Sequence, residues 1–370
     1  MKFTINKNSF LKALKQATNI IDNNNINPVL SGILINCKDK TLTITSSNNN
    51  ISFITTINDA NIQKEGIVLV RGKILFNIIN KLKNEDITIE IVDNSVLRIS
   101  TSNFSSDINT LESTSYPSIN FNYEGWKKIV LPKQYLKNVI NKLINTTTIQ
   151  PDHSTILNGI LFDSLRLNNF IESVGTDGYH LSHLKQEYIG EKFKFVLGID
   201  SLLEISELVM LNDDVIWYFK DNHLIIQINN VLFNCRLLDG EYPSSVKFIE
   251  EKQPNSFSVK KEDLYSAIER GMVLASDEKK PSIMLNITDE GIKLTSRSVE
   301  FGSSFEQIPI SNYSGQQINV TFNIKYLLDL IKNIESEEIL IEFDTNTKPF
   351  IFKDKKTQNY TSLILPIRAM

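Results

Sequence analysis

Hydrophobic positions along the chain fall into one pattern that is written three times. Phe3 and Ile5 alternate as they would on a strand, and Phe10, Ala13 and Leu14 follow at helical spacing. Ile129, Leu131, Leu136, Val139 and Ile140 repeat these intervals, and Phe257, Val259, Leu264, Ala267 and Ile268 repeat them again. Each copy predicts a strand running into an amphipathic helix. A second helix recurs at Leu75, Phe76 and Ile78, at Leu202, Leu203 and Ile205, and at Leu327, Leu328 and Leu330. A charged turn and a strand follow it each time, over 86–91, 214–219 and 338–343. Further strands, such as 42–45 and 292–295, lie between the helices, set off by polar turns. The run Leu30-Ser31-Gly32-Ile33-Leu34-Ile35 returns as Leu157-Asn158-Gly159-Ile160-Leu161-Phe162. A recurrence of this extent implies a copied folding unit. The expected fold is α+β, with three similar domains of two helices plus antiparallel sheet over residues 1–125, 126–253 and 254–370. The polar stretches Asn120–Gly125 and Glu250–Asn255 serve as linkers.

Length and composition agree with that division. The 370 residues suffice for two or three cores, and 41% hydrophobic with 22% charged residues places the chain among globular proteins rather than disordered ones. No apolar run approaches the roughly 20 residues of a membrane span. The opening Met1-Lys2-Phe3 leads into a strand without a signal-peptide core, so a cytoplasmic protein is expected. Cys37 and Cys235 stand far apart in strand-like surroundings, which favours buried reduced thiols over a disulfide or metal site.

Charge changes the picture through its distribution. The formal net charge is -4, yet residues 7–20, 73–83 and 133–145 contain lysines and no Asp or Glu. These are three of the six predicted helices. Lys12, Lys15, Lys73, Lys81, Lys133, Lys137 and Lys142 would give repeated, equivalent elements a positive face able to track phosphate without reading sequence. Zinc-finger spacing, helix-turn-helix punctuation and basic-aromatic runs are missing, so no base-reading device is expected. Helix 200–210, with Asp200, Glu204 and Glu207, is acidic by contrast.

The ordered motifs Met1-Lys2-Phe3-Thr4, Leu157-Asn158-Gly159, Thr176-Asp177-Gly178-Tyr179-His180-Leu181, Leu238-Asp239-Gly240-Glu241-Tyr242-Pro243, Phe322-Asn323 with Tyr326, and Leu365-Pro366-Ile367-Arg368 span the whole chain. In these the sequence resembles the bacterial DNA polymerase III beta subunit, the sliding clamp. The resemblance implies a crescent of three domains, two of which close head to tail into a ring with helices lining the hole. It also implies a non-catalytic processivity factor without cofactors. Its partners would be double-stranded DNA, the polymerase III alpha subunit, the clamp loader, other proteins carrying a clamp-binding motif, and a second copy of the chain. The matching partner-peptide pocket comprises Leu157, Thr176, Gly178, Tyr179, His180, Leu181, Pro243, Lys247, Phe248, Asn323, Tyr326, Leu363, Ile364, Leu365, Pro366, Ile367 and Arg368. The implied dimer seam sets Ile78, Leu82 and Ile108 against Val273 and Leu274. The family often has His-Arg where this chain has Tyr179-His180, and the chain ends a residue beyond some relatives.

Two other readings compete. Asp177, His180 and His183 could form a metal-dependent hydrolase site if the histidines shared a helical face, although no third ligand group, Gly-rich phosphate loop or activated nucleophile accompanies them. The triplication could also be an interaction scaffold that never encircles DNA.

Overall fold

The structure, a computed structural model, describes residues 1–22, 27–93, 95–147, 155–211, 215–244, 246–356 and 359–367. Asp214 and the terminal Arg368, Ala369 and Met370 lie outside them. Among the described residues the α-helices are α1 (Lys7–Ile20), α2 (Gly72–Lys81), α3 (Lys133–Leu143), α4 (Ile199–Leu211), α5 (Lys247–Glu250), α6 (Lys261–Ala275) and α7 (Ile324–Lys332). Six of these are the expected pairs; the single turn α5 had no periodic signal to announce it.

The repeat in sequence is a repeat in hydrogen bonding. Each opening strand pairs with the strand beyond the second helix, so that Phe3 faces Ile89, Ile129 faces Trp217 and Phe257 faces Ile341. A second strand in each copy is central to its neighbours. Gly32–Lys38 lies between Thr41–Ser47 and Gly66–Arg71, Gly159–Asp163 between Phe170–Thr176 and Lys194–Gly198, and Ser282–Thr288 between Gly291–Ser298 and Ile318–Asn323. The doubled glycine of the sequence motif opens this strand. A Cβ at Gly32 would stand 2.7 Å from Leu69, and one at Gly159 2.7 Å from Val196. Close approach of the neighbouring strand therefore excludes a side chain there.

Each helix buries one stripe. In α1 these are Phe10, Ala13, Leu14, Ala17 and Ile20, and in α6 Leu264, Ala267, Ile268, Gly271 and Ala275, both at the i, i+3, i+4 intervals of a single face. The side chain of Asn6 caps α1 by accepting from the Asn8 amide at 3.0 Å. Lys7 then reaches the far end of α2, donating to the carbonyls of Asn80 at 3.2 Å and Leu82 at 2.7 Å. Lys261 does the same for the carbonyls of Lys332 and Ile334 beyond α7. The lysine that opens the first helix of the first and third repeats thus satisfies orphan carbonyls at the end of the second helix.

Residues 1–133 with 200–237 form one compact unit, and 134–199 with 238–370 another. In the first, a thirteen-stranded sheet continues from the first repeat into the second where Ile51–Ile57 pairs with Val231–Arg236, Phe53 facing Phe233. In the second, His180–Glu187 pairs with Tyr360–Ile364 inside a nine-stranded sheet, and a four-stranded sheet stands apart from it. Sheets that run through repeat boundaries divide the middle repeat between its neighbours, so compact units and sequence repeats partition the chain differently. No helix among the described residues is long and apolar enough to cross a membrane.

Candidate functional site

Two strands of the second unit, Phe170–Thr176 and His180–Glu187, are joined by a tight turn that Asp177 organises. Its carboxylate Oδ1 accepts from the amides of Tyr179 at 2.8 Å and His180 at 2.9 Å and contacts the His180 ring at 2.8 Å. Burial works against ionisation of Asp177, but the His180 ring and these amides outweigh it and hold the carboxyl below its ordinary value. Gly178 takes φ +88°, a region costly for other residues. Thr176 closes the turn by donating to the His180 carbonyl at 2.7 Å.

The chain's last strand runs beside this hairpin. Leu363 faces Leu181, and the Leu365 amide donates to the Tyr179 carbonyl at 2.8 Å. Between turn, strand and tail lies a cleft of about 170 Å³ lined by Thr176, Gly178, Tyr179, His180, Leu181, Pro243, Phe248, Pro349, Leu363 and Leu365. That is room for one or two apolar side chains rather than for a cofactor. Its floor is a buried cluster that includes Ile156, Leu161, Val174, Val196, Tyr242 and Val246, with Leu157 packed against it. Phe248 and Tyr179 expose 47% and 55% of their surface at the rim, so apolar area is offered to solvent beside a dry interior.

Not every expected pocket residue lines the cleft. Ile364 is fully buried, because strand alternation turns it away from Leu363 and Leu365 into the core. Asn323 accepts from the amides of Lys325 and Tyr326 and caps α7. Tyr326, presented by that cap, stacks on His180 behind the turn. Burial and the nearby Asp177 push the Tyr326 phenol well above its ordinary value. Lys247 is exposed on α5, Pro366 and Ile367 follow the cleft, and the Ile367 amide donates to the Thr321 carbonyl at 2.8 Å. Arg368 is outside the described residues. Pro349 escaped the sequence reading; it stands at the turn before Phe350–Asp354, where nothing in the periodicity marks it.

The hydrolase reading fails on geometry. His180 and His183 are three apart on a strand, not a helix, so their rings fall on opposite faces. His180 is held by Asp177, and His183 contacts Glu172 at 2.8 Å. Glu172 also accepts from Nε and Nη2 of Arg166, whose Nη1 donates to Glu250. Burial opposes the charge on Glu172, but His183 and Arg166 prevail and bring its carboxyl down to about 2. Each histidine is therefore taken up by its own internal carboxylate, and the two do not converge on one site.

Of the lysines expected to face DNA, Lys12 and Lys15 on α1 and Lys73 and Lys81 on α2 are exposed, while Lys133 and Lys137 are half-buried. Lys15 pairs with Glu207 of the acidic helix α4 at 3.0 Å. Lys133 occupies the position at which Lys7 and Lys261 cap a helix end. Lys142 departs from the expectation: it is buried, pairs with Glu335 at 2.6 Å and lies over the Tyr360 ring. Its ammonium is directed into the protein. Among the expected seam residues, Ile78, Leu82, Ile108 and Leu274 are half-buried and Val273 is 72% exposed.

Comparison with known proteins decides the family. Residues 1–120 match the N-terminal domain of the DNA polymerase III beta subunit, residues 130–244 its central domain and residues 247–368 its C-terminal domain. The chain belongs to the DNA polymerase III beta subunit family. This clamp is 29% identical to the beta sliding clamp of Staphylococcus aureus, over 100% of both chains. Among solved structures it is similar to the DNA polymerase sliding clamp from Bacillus subtilis, at 25% identity and a TM-score of 0.92, and to the DNA polymerase III beta chain from Streptococcus pneumoniae, at 26% and 0.92; each covers 100% of both chains. The chain is therefore a DNA sliding clamp, a processivity subunit of DNA polymerase III that performs no catalysis of its own.

Proposed function

We propose that two copies of this chain close head to tail into a cytoplasmic ring around duplex DNA, with repeats 1–125, 126–253 and 254–370 as its six domains. The observation that carries the ring is a pair of open strand edges. In the first repeat Ile51–Ile57 pairs with the last strand of the second, and in the second repeat His180–Glu187 pairs with the last strand of the third. Among the described residues the equivalent strand of the third repeat, Gly302–Ile308, is paired only with Gly291–Ser298. The last strand of the first repeat, Ser105–Leu111, is open over 105–109. Each is the partner the other lacks, and exposed edges of this kind are ordinarily covered. Val273 on α6 and Phe305 on the open strand expose 72% and 66% of their surface, giving the seam an apolar core. A heterologous contact that closes after one further copy makes a ring rather than a filament.

In this reading Lys12, Lys15, Lys73, Lys81, Lys133 and Lys137 offer sequence-independent attraction to phosphate, and Lys142 does not take part. The cleft of Leu181, Leu363 and Leu365 receives an extended apolar motif from the polymerase alpha subunit, the clamp loader and other clamp-binding proteins. Retention on DNA tests the ring. Loaded protein should stay on closed circles after a high-salt wash and slide off once the circle is linearised. Equal loss from both forms would leave an interaction scaffold.

A further inference from the structure

The first unit holds a second cleft in the same relation to its strands as the apolar one, built from the opposite chemistry. The turn between Thr41–Ser47 and Ile51–Ile57 is organised by Asn48, whose Oδ1 accepts from the amides of Asn50 at 2.8 Å and Ile51 at 2.9 Å. Those are the distances Asp177 makes to Tyr179 and His180. The Arg236 amide donates to the Asn50 carbonyl at 2.9 Å, as Leu365 does to Tyr179 at 2.8 Å. Asn234 faces Ser52, as Leu363 faces Leu181. His223 faces Arg236 from the next strand, at the position Pro349 holds beside Leu365. Leu181, Leu363, Leu365 and Pro349 of the apolar cleft thus correspond to Ser52, Asn234, Arg236 and His223, and at each of these four positions an apolar wall is replaced by a polar one.

This cleft, of about 400 Å³, is lined by Asn48, Asn49, Asn50, Ser52, Asn222, His223, Asn234 and Arg236. In a chain of net charge -4 no acidic side chain lines it. The exposed Arg236 guanidinium makes no ion pair among the described residues, and His223 beside it meets only the Asn234 amide oxygen, at 3.2 Å. A guanidinium that no carboxylate answers, set in a wall of polar side chains, is disposed to take an anion. Arginine presents a planar fork suited to carboxylate, and the exposed side-chain amides of Asn49 and Asn50 carry further donors.

We propose that this cleft is a second docking site, which takes an extended acidic peptide through its carboxylates. Peptide is favoured over other anions because the turn, the strand pairing and the Arg236 amide bond repeat the frame of the apolar cleft, for which an extended peptide is proposed above. Each clamp would then read two kinds of motif at two equivalent turns, apolar at Leu181 and acidic at Arg236. Calorimetric titration of the full-length protein with N-acetyl hexaglutamate at low salt tests the site. Saturable binding is expected, weakened about tenfold or more in Arg236→Gln and further in Arg236→Gln with His223→Gln. Leu365→Ser should leave hexaglutamate binding unchanged while losing apolar peptides, which separates this site from the apolar cleft. Absence of hexaglutamate binding, equal binding by Arg236→Gln, or Arg236-dependent binding of inorganic phosphate in place of the peptide would each overturn the proposal.

Discussion

The imidazole of His180 lies flat on the phenol ring of Tyr326, centroids 4.2 Å apart and planes inclined by 16°. Through this stack the first turn of α7 supports the hairpin turn from behind, although Tyr326 itself does not line the cleft. Offset ring pairs of this kind contribute about 0.5–1.5 kcal/mol beyond the area they bury. Tyr326→Ala should leave the protein folded and weaken a leucine- or phenylalanine-bearing peptide about fivefold, measured by fluorescence anisotropy; Tyr326→Phe should restore affinity. Unchanged binding by the alanine variant would show that the turn needs no support.

Glu172 makes stability depend on acid. Its folded value, about 2, lies below the ordinary 4.5, so the carboxylate contributes stability that is fully present above pH 4.5 and is lost as pH falls toward 2. Arg166 is 36% exposed and keeps Glu250, which moderates the effect of removing its partner. Glu172→Gln should cost about 2 kcal/mol at neutral pH in urea unfolding, the difference shrinking below pH 4.5. A difference independent of pH would assign the effect to packing.

How much of this could be read from sequence depends on which physical signal each residue leaves. Phe10, Ala13 and Leu14 announce their helix because one face must be buried, and Gly32 and Gly159 mark a strand contact too close for a Cβ. The lysines left a more ambiguous signal. Charge segregation along 133–145 is visible, but Lys142 answers Glu335, nearly two hundred residues away, and no periodicity encodes such a pairing. Pro349 reaches its cleft through tertiary folding alone. Ile364 illustrates the reverse: the family resemblance set it in the pocket with Leu363, whereas the two-residue repeat of a strand sends it to the core.

The proposed seam implies a register. In the proposed ring, the rows that place Phe53 opposite Phe233 and Ser182 opposite Ser362 would set Ser304 opposite Ser106 of the partner subunit. Directly opposed residues in antiparallel strands lie about 4.5–5.5 Å apart at Cα, within disulfide reach. Ser106→Cys with Ser304→Cys should therefore give a covalent dimer on mild oxidation, read on non-reducing gels. Cys37 and Cys235 are buried, and burial pushes their thiols up to about 11 and about 12, so background cross-linking should be small. Changing Val273 to Ala and Leu274 to Asp should yield a soluble monomer by sedimentation. A dimer in the second experiment without cross-linking in the first would move the seam elsewhere.

Exposed and buried lysines should separate DNA attraction from stability. Replacing Lys12, Lys73 and Lys81 by Gln removes charges that stand in solvent, so the fold should be unaffected. The slope of log affinity against log salt should fall by about 0.9 for each phosphate that is no longer neutralised. Lys142→Met breaks the pair with the half-exposed Glu335 and should instead cost about 1 kcal/mol with no change in slope. A reduced slope in Lys142→Met would return that residue to the DNA-facing set.

The segment 363–367 is tied down on both sides. Leu365 gives its amide to Tyr179, Ile367 gives its amide to Thr321, and Leu363 packs against the buried cluster beneath the cleft. Deleting residues 365–370 removes one wall of the cleft and both of these bonds, yet leaves Tyr360–Ile364 paired with the strands on either side of it. The core cluster keeps Leu363, and neither open strand edge of the proposed seam is touched. Thermal unfolding should therefore shift little and sedimentation should still report the dimer, while calorimetric titration with an apolar clamp-binding peptide should give no measurable heat. Full-affinity binding by the truncated, folded protein would place the peptide site away from Leu181 and Leu363.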